Sequence, residues 1–271
     1  EYSGLSRTLG LYPLAKPFLK RGVADYQAKV LEDYAKPLET PAAPIELVRW
    51  TVKRSDEFAD TTLDLKTKPR DQLGRIGMLG SEVVQLAQFY APALWIETAG
   101  SFDLPGAPVL GVDKPTVDTA RPVVYFQPGL TRFGGRNLLQ LSYFVWFSER
   151  TPQKPGDQEA GVLDGLIWRI TLDDDGRVLL HDSIHACGCY HYGFPAQPMA
   201  RKPNDAGEDQ MLLPQAALAP ERIAVRLQSG THAVRRVVGV DQALAQREAS
   251  YELRPYEDLL TLPAPGGSGT R

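Results

Sequence analysis

The chain has 271 residues, 43% of them hydrophobic and 23% charged, with a formal net charge of −3. That length and composition supply one sizeable core and argue against disorder along the whole chain. No basic stripe stands out and no apolar run nears the roughly 18 residues that span a bilayer, so neither nucleic-acid binding nor a transmembrane segment is expected.

The chain opens on Glu1 rather than a methionine. Removal of an upstream segment is therefore expected, and export to a periplasmic or extracellular compartment fits it, with a cytoplasmic location as the alternative. Two cysteines cannot make a disulfide framework. The organisation read from the sequence is a single domain over 1–271. It has an N-terminal helical segment at 1–40, a β-hairpin core at 120–241 and a flexible tail at 264–271.

In chain order, residues 11–17 are too proline-broken for regular structure. Residues 21–36 follow with an amphipathic helical spacing through Val23, Tyr26, Val30 and Tyr34, ended by Pro37. Pro37, Pro41 and Pro44 make an extended connector, after which 45–52 alternates as a strand. A second helix is predicted over 81–91, capped by Ser81 and stopped by Pro92. Residues 99–122, rich in Gly, Pro and Asp, form a surface excursion. Three hairpins come next. Residues 123–127 and 138–147 turn around Gly134-Gly135. Residues 166–172 and 177–184 flank Asp173-Asp174-Asp175-Gly176, and 223–227 and 233–240 flank Ser229-Gly230-Thr231. Between the last two lies a polar, Pro-rich loop at about 195–220. The expected fold is α+β, a mostly antiparallel sheet of successive hairpins forming a barrel or sandwich, with N-terminal helices packed beside it.

Chemistry-bearing residues concentrate in one segment. His181, His185 and His191 and both cysteines, Cys187 and Cys189, fall within eleven residues, and His232 follows the turn of the last hairpin. These are the residue types that bind zinc, copper and iron. If the strand from 177 continued, His181, His185, Cys187, Cys189 and His191 would share one face. His185 and His191 would then lie about 20 Å apart at 3.3 Å per residue, too far for one metal. A bend at Gly188 is therefore required. The expected ligand set is His185, His191 and His232, with Cys187 or Cys189 close behind. His181 is the weakest member and reads better as a packed histidine. Glu149, at the end of an aromatic strand, is a candidate base or ligand, against the alternative of a surface ion pair. Tyr190 is a candidate catalytic donor, and with Tyr192 it could instead cover the site. The turn Gly134-Gly135 between Arg132 and Arg136 lacks the strand-to-helix context of a phosphate loop.

The stretch from His181 to His191 also resembles the H-E-x-x-H-x-x-G-x-x-H motif of the metzincin zinc peptidases. The resemblance covers these eleven residues. It implies His181, His185 and His191 as zinc ligands, Asp182 as general base and Gly188 as the turn. Asp182 stands where the family has Glu, the segment follows a strand pattern rather than a helix, and neither Met199 nor Met211 makes an evident Met-turn.

Cys187-Gly188-Cys189 has a further use, a strained and easily reduced disulfide or a thiolate activated by flanking histidines. A c-type haem motif needs two residues between the cysteines and a histidine directly after them, and neither holds here. Three readings follow. One is a metalloenzyme with a single copper, iron or zinc ion and an open position for redox or hydrolytic chemistry on a small-molecule or peptide substrate. The others are a non-catalytic copper- or zinc-binding or thiol-redox protein, and a structural zinc site. The first is preferred, because imidazoles from two chain segments suit an open site better than a closed one.

Overall fold

The structure, a computed structural model, describes residues 12–53, 64–78, 80–198, 211–218 and 222–262, with side chains from residue 21 onward. The 264–271 tail, Met199 and most of the 195–220 loop lie outside the described residues. The chain divides into two units, Glu1–Leu38 and Glu39–Arg271.

The first unit holds helix α1, Tyr12–Ala35. It includes Pro13 and Pro17, so the expectation that 11–17 is irregular is corrected. A proline in the first turn lacks only an N–H that has no partner there, and Pro17 forfeits a single helical bond. The helix ends just ahead of Pro37, as its spacing predicts.

The second unit is built on one ten-stranded sheet. Its strands, in chain order, are β1 (Glu46–Val52), β2 (Ala93–Thr98), β5 (Val123–Phe133), β6 (Arg136–Arg150), β7 (Gly161–Leu172), β8 (Val178–His185), β9 (Tyr192–Pro195), β10 (Ile223–Leu227), β11 (Val234–Gly239) and β12 (Arg247–Pro255). A separate small hairpin, β3 (Ala107–Val109) and β4 (Thr116–Asp118), arises within the 99–122 excursion. The spatial order is β11-β10-β2-β1-β12-β5-β6-β7-β8-β9, and the sheet curls into a nearly closed, barrel-like form.

All three expected hairpins are present. The sheet is mostly antiparallel, as expected, but it is mixed: three of the nine pairings are parallel, β1 with β12, β10 with β2, and β12 with β5. Parallel neighbours are joined by long crossovers that leave no turn signal in the sequence. Of the two described α-helices, the second lies in the unit that holds the sheet. Helix α1 belongs to the first unit. Helix α2, Gly80–Phe89, meets the sheet where the buried Tyr143 hydroxyl donates to the Ala87 carbonyl at 2.9 Å. Among the described residues no helix is long and apolar enough to cross a membrane.

Register decides what the interior contains. Tyr143 of β6 lies across from Trp168 of β7, and Trp168 from Ser183 of β8; Val145, Leu166 and His185 form the next row. Every one of these is buried. The rows are apolar through the middle of the strands. Toward one end they change character: Phe147 lies across from Asp164, and Leu166 from His185. Apolar burial of this kind contributes about 1.5–3 kcal/mol per large side chain, so polar residues entering such rows need a compensating partner.

Candidate functional site: an imidazole–carboxylate network

The polar end of the interior rows is completed by two loops. The turn after β10 brings His232, and the short helical turn Ser101–Asp103 brings Asp103. Asp103 and His232 are both fully buried. Asp103 accepts from the backbone N–H groups of Ala99 (2.8 Å) and Gly230 (2.7 Å) and from the Ser229 hydroxyl (2.8 Å). His232 lies between two carboxylates, with Nδ1 2.7 Å from Asp164 Oδ2 and Nε2 3.4 Å from Asp103 Oδ1, the second contact too oblique for a good hydrogen bond. Its ring stacks on Phe147 at 3.7 Å and is parallel to it within 1°.

Burial opposes a charge on His232, but the two carboxylates outweigh it and hold its pKa above the ordinary value of 6.5. Burial likewise works against the carboxylates. The His185 and His232 imidazoles overcome it at Asp164, and His232 with the backbone and hydroxyl donors overcome it at Asp103, so both pKa values fall below the usual range. Within this unit the two carboxylates therefore favour the protonated form of His232.

His185 stands beside this unit. It is 2% exposed, its Nδ1 is 3.7 Å from Asp164 Oδ1, and neither ring nitrogen has a hydrogen-bond partner among the described residues. Tyr190 covers it edge-on at 5.2 Å. The Tyr190 hydroxyl donates to Glu159, the Arg150 guanidinium sits 5.3 Å over its ring, and Arg150 pairs with Glu159 while donating to the Thr231 carbonyl at 3.0 Å. The groups thus grade from fully buried Asp103 to exposed Glu159.

Backbone strain gathers at the same place. Among the described residues the non-glycine residues with positive φ are Leu163 (68°), Tyr190 (58°) and His232 (51°). One precedes Asp164, one covers His185, and the third is the central imidazole. Each such residue costs on the order of 1–3 kcal/mol and persists only where its surroundings over-determine it.

The expected metal site is corrected. Among the described residues no group of three or more His, Cys, Asp and Glu side chains is arranged to hold a metal ion. The physical reasons are local. Strand β8 stops at His185, and a tight turn follows, with the His185 N–H donating to the Cys189 carbonyl at 3.0 Å and Gly188 at φ 85°. The bend at Gly188 is real, but it does not bring His191 to His185. His191 lies on the other face of the sheet, 3.0 Å from Arg169 Nη2 and 3.3 Å from Asp182 Oδ1. Both ring nitrogens of His232 face carboxylates. Cys187 and Cys189 are exposed and form no disulfide. The thiol-redox reading needs an activated thiolate, but the hydrogen bond that the Cys189 thiol donates to Cys187, with some burial, raises the Cys189 pKa instead.

The peptidase resemblance fails on geometry as well. His181 and His185 sit on a strand, roughly 13 Å apart at 3.3 Å per residue, rather than one turn apart on a helix. Asp182 points to the opposite face, where Arg169 Nε donates to it at 2.6 Å. His181 is buried against Trp168 at 5.5 Å, with both nitrogens unpartnered, and burial pushes its pKa down to about 4. Glu149 is exposed, and its neighbour Arg150 joins the network. Asp103, Asp164 and Glu159 carried no motif in the sequence, whereas Arg150, with Glu149 at the end of the aromatic strand, was expected to reach a site at that end of the sheet. The one available signal was Asp164, a lone acid at an inward position of β7.

No family model matches the chain, and no curated protein matches it. Two solved structures are similar to it. One is described as a toxin fold for microbial attack and plant defence, with TM-score 0.36 and 10% identity over 71% of this chain and 82% of that one. The other is NLPPya in complex with mannosamine, with TM-score 0.37 and 11% identity over 72% of this chain and 82% of that one.

Proposed function

We propose that the network is a metal-independent acid–base site, in which His185 takes a proton from a water or hydroxyl nucleophile as it attacks a small substrate. The observation that carries this reading is a buried imidazole, His185, set 3.7 Å from the Asp164 carboxylate, with backbone strain at the residue before Asp164, at His232 and at Tyr190. His181 has unpartnered nitrogens too, and what sets His185 apart is the Asp164 carboxylate beside its ring.

Each residue then has a role. Asp164 lies where it can orient the His185 ring and stabilise the imidazolium formed when the proton arrives. His232, held charged by Asp103 and Asp164, keeps Asp164 ionised so that it does not itself take the proton. Tyr190, held by Glu159 and Arg150, forms the wall between His185 and solvent.

The test is turnover of 4-nitrophenyl esters, phosphates and glycosides with the chain pretreated with a chelator. His185→Gln should lower the rate by about 10²–10⁴-fold, the usual contribution of a positioned acid–base group. His191→Gln should leave it unchanged. Equal rates in wild type and His185→Gln would refute the proposal. So would silence on all three substrate classes combined with failure of diethylpyrocarbonate to reach His185 in the folded protein.

A further inference from the structure

A second polar cluster lies on the face of the sheet opposite the network. Cross-strand register sets Arg169 of β7 beside Asp182 of β8, and His191 enters from the chain just before β9. Together they line a pocket of about 210 Å³. That is below the roughly 300–1,000 Å³ of drug-sized sites, so a ligand is held to a handful of heavy atoms. No other lining residue is charged, and Phe133, Leu179, Leu180 and Met211 make part of the wall apolar.

Arg169 and Asp182 compete for one atom of His191. Asp182 is buried, and its Oδ1 accepts from Arg169 Nε at 2.6 Å and contacts Arg169 Nη2. His191 Nε2 lies 3.0 Å from Arg169 Nη2 and 3.3 Å from Asp182 Oδ1. A guanidinium can only donate, and an ionised carboxylate can only accept. Neutral His191 with its proton on Nδ1 therefore takes a bond from Arg169, whereas its protonated form can bond only to Asp182. In the first state Arg169 Nη2 is spent on both neighbours, and the three side chains carry no net charge. In the second, Nη2 is released from His191, the Nη1–Nη2 edge of the guanidinium is open, and the three carry one positive charge. Arg169 Nη1 has no hydrogen-bond partner among the described residues. The 211–218 segment, which borders β9 through the Leu212 N–H bonded to the His191 carbonyl at 3.0 Å, contains no titratable side chain.

We infer that this pocket binds a small monocarboxylate and takes up one proton from solvent at His191 as it does so. A carboxylate matches the planar two-donor edge of a guanidinium. Its single negative charge matches the single positive charge of the protonated state, and the apolar part of the wall suits a short chain. The inference does not depend on the acid–base proposal, whose site is on the opposite face and for which His191→Gln is the silent control.

The experiment is titration of the full chain with butyrate between pH 5.5 and 8, the window in which imidazole changes charge, followed by amide and imidazole resonances. Butyramide is the neutral isostere and inorganic phosphate the tetrahedral oxyanion. Butyrate should bind at pH 5.5 with a Kd on the order of millimolar and perturb Arg169, Leu180 and His191. Its affinity should weaken toward pH 8 by up to about tenfold per pH unit, the slope of one linked proton. Near pH 7, butyrate should also move the His191 ring resonances toward those of the protonated form. His191→Gln should keep the weak alkaline affinity at every pH. Arg169→Lys keeps the charge but lacks the fork, and should weaken binding at pH 5.5 by about tenfold, with the melting temperature confirming that it folds. The His191 ring shift in the wild type stands without that variant. Equal butyrate affinity at pH 5.5 and 8 would overturn the inference, as would equal pH slopes in the wild type and His191→Gln. Butyramide or phosphate binding as tightly as butyrate would overturn it too, and so would no butyrate binding at about 50 mM and pH 5.5.

Discussion

His181→Phe isolates one titration in the core. His181 is 1% exposed, stacks on Trp168 and has no hydrogen-bond partner at either nitrogen among the described residues. Burial lowers its pKa from 6.5 to about 4, with the charge of Asp182 opposing the shift. Above pH 6.5 the ring is neutral in both the folded and unfolded chains, and its contribution to stability is fully present. As the pH falls through 6.5 and then through 4, the unfolded chain binds a proton that the folded chain resists, and stability is lost. A gap of about 2.5 pKa units corresponds to about 3 kcal/mol, an order-of-magnitude figure. Phenylalanine keeps the stacked ring and removes the titration. It also removes two unpartnered polar atoms, worth about 1–3 kcal/mol, against an overpacking cost of similar size. The sign at pH 7 is therefore set by packing, whereas the pH slope is not. Urea unfolding at half-unit steps from pH 7 to 4.5 measures it, with a constant m-value as the check that the denatured state is unchanged. The wild type should lose stability over this range, and His181→Phe should lose much less. His181→Leu should behave likewise and controls for ring volume. Parallel curves for the wild type and both variants would show that His181 is not the titrating group.

The same reasoning extends to the network. Asp103→Ala removes the acceptor of two backbone N–H groups and one hydroxyl and leaves His232 short of a counter-charge, so urea unfolding at pH 7 should show a loss of about 3–5 kcal/mol. Asp103→Asn, which keeps one acceptor oxygen, should lose less. His232 has its pKa raised, so its contribution is fully present below 6.5 and is lost as the pH rises through the folded value. The alkaline decline in stability should accordingly be shallower in His232→Gln, provided the variant is compared with itself across pH. Gly230 sits at φ 73°, and a Cβ there would lie 2.1 Å from Thr151 Oγ1. Gly230→Ala should lower the melting temperature, and adding Thr151→Ala should recover the steric part of the loss but not the backbone part.

Local signals made the three central hairpins legible. Asp173 accepts from the N–H groups of Asp175 and Arg177 and closes the β7–β8 turn, and Gly134 and Gly135 adopt the positive φ that their turn needs. What was not legible is the part of the sheet held by distant partners. Arg49 of β1 and Glu248 of β12 bond across 199 residues, and nothing in either segment names the other. Helix α1 begins earlier than its prolines suggested, because a first turn tolerates what an interior turn does not. At the site, His185, His232 and Tyr190 drew notice from residue type alone, and the fold gathers them around Asp164. The metal expectation came from counting donors along the chain. Proximity in sequence carries no information about which face a residue takes once the strand ends, and Arg169 with Asp182 holds His191 on the far side.

His181 and His185 make the general point, because they differ in so little. They lie four residues apart on β8, share its inward face, and are both nearly inaccessible with unpartnered nitrogens. His181 lies in the aromatic interior, where a charge would be stranded, and that environment holds it neutral near pH 7. His185 lies where the apolar rows stop, with Asp164 on one side and the Tyr190 wall on the other. A proton accepted at His181 would face a desolvation that the charge of Asp182 only partly offsets, whereas one accepted at His185 would meet a carboxylate already held ionised by its imidazole partners. The same side chain on one strand can therefore be packing at one row and an acid–base group at the next but one. The difference is set by Asp103 and Asp164, two residues that contact neither solvent-facing thiols nor the segment that first drew attention as a metal site, apart from His185 itself.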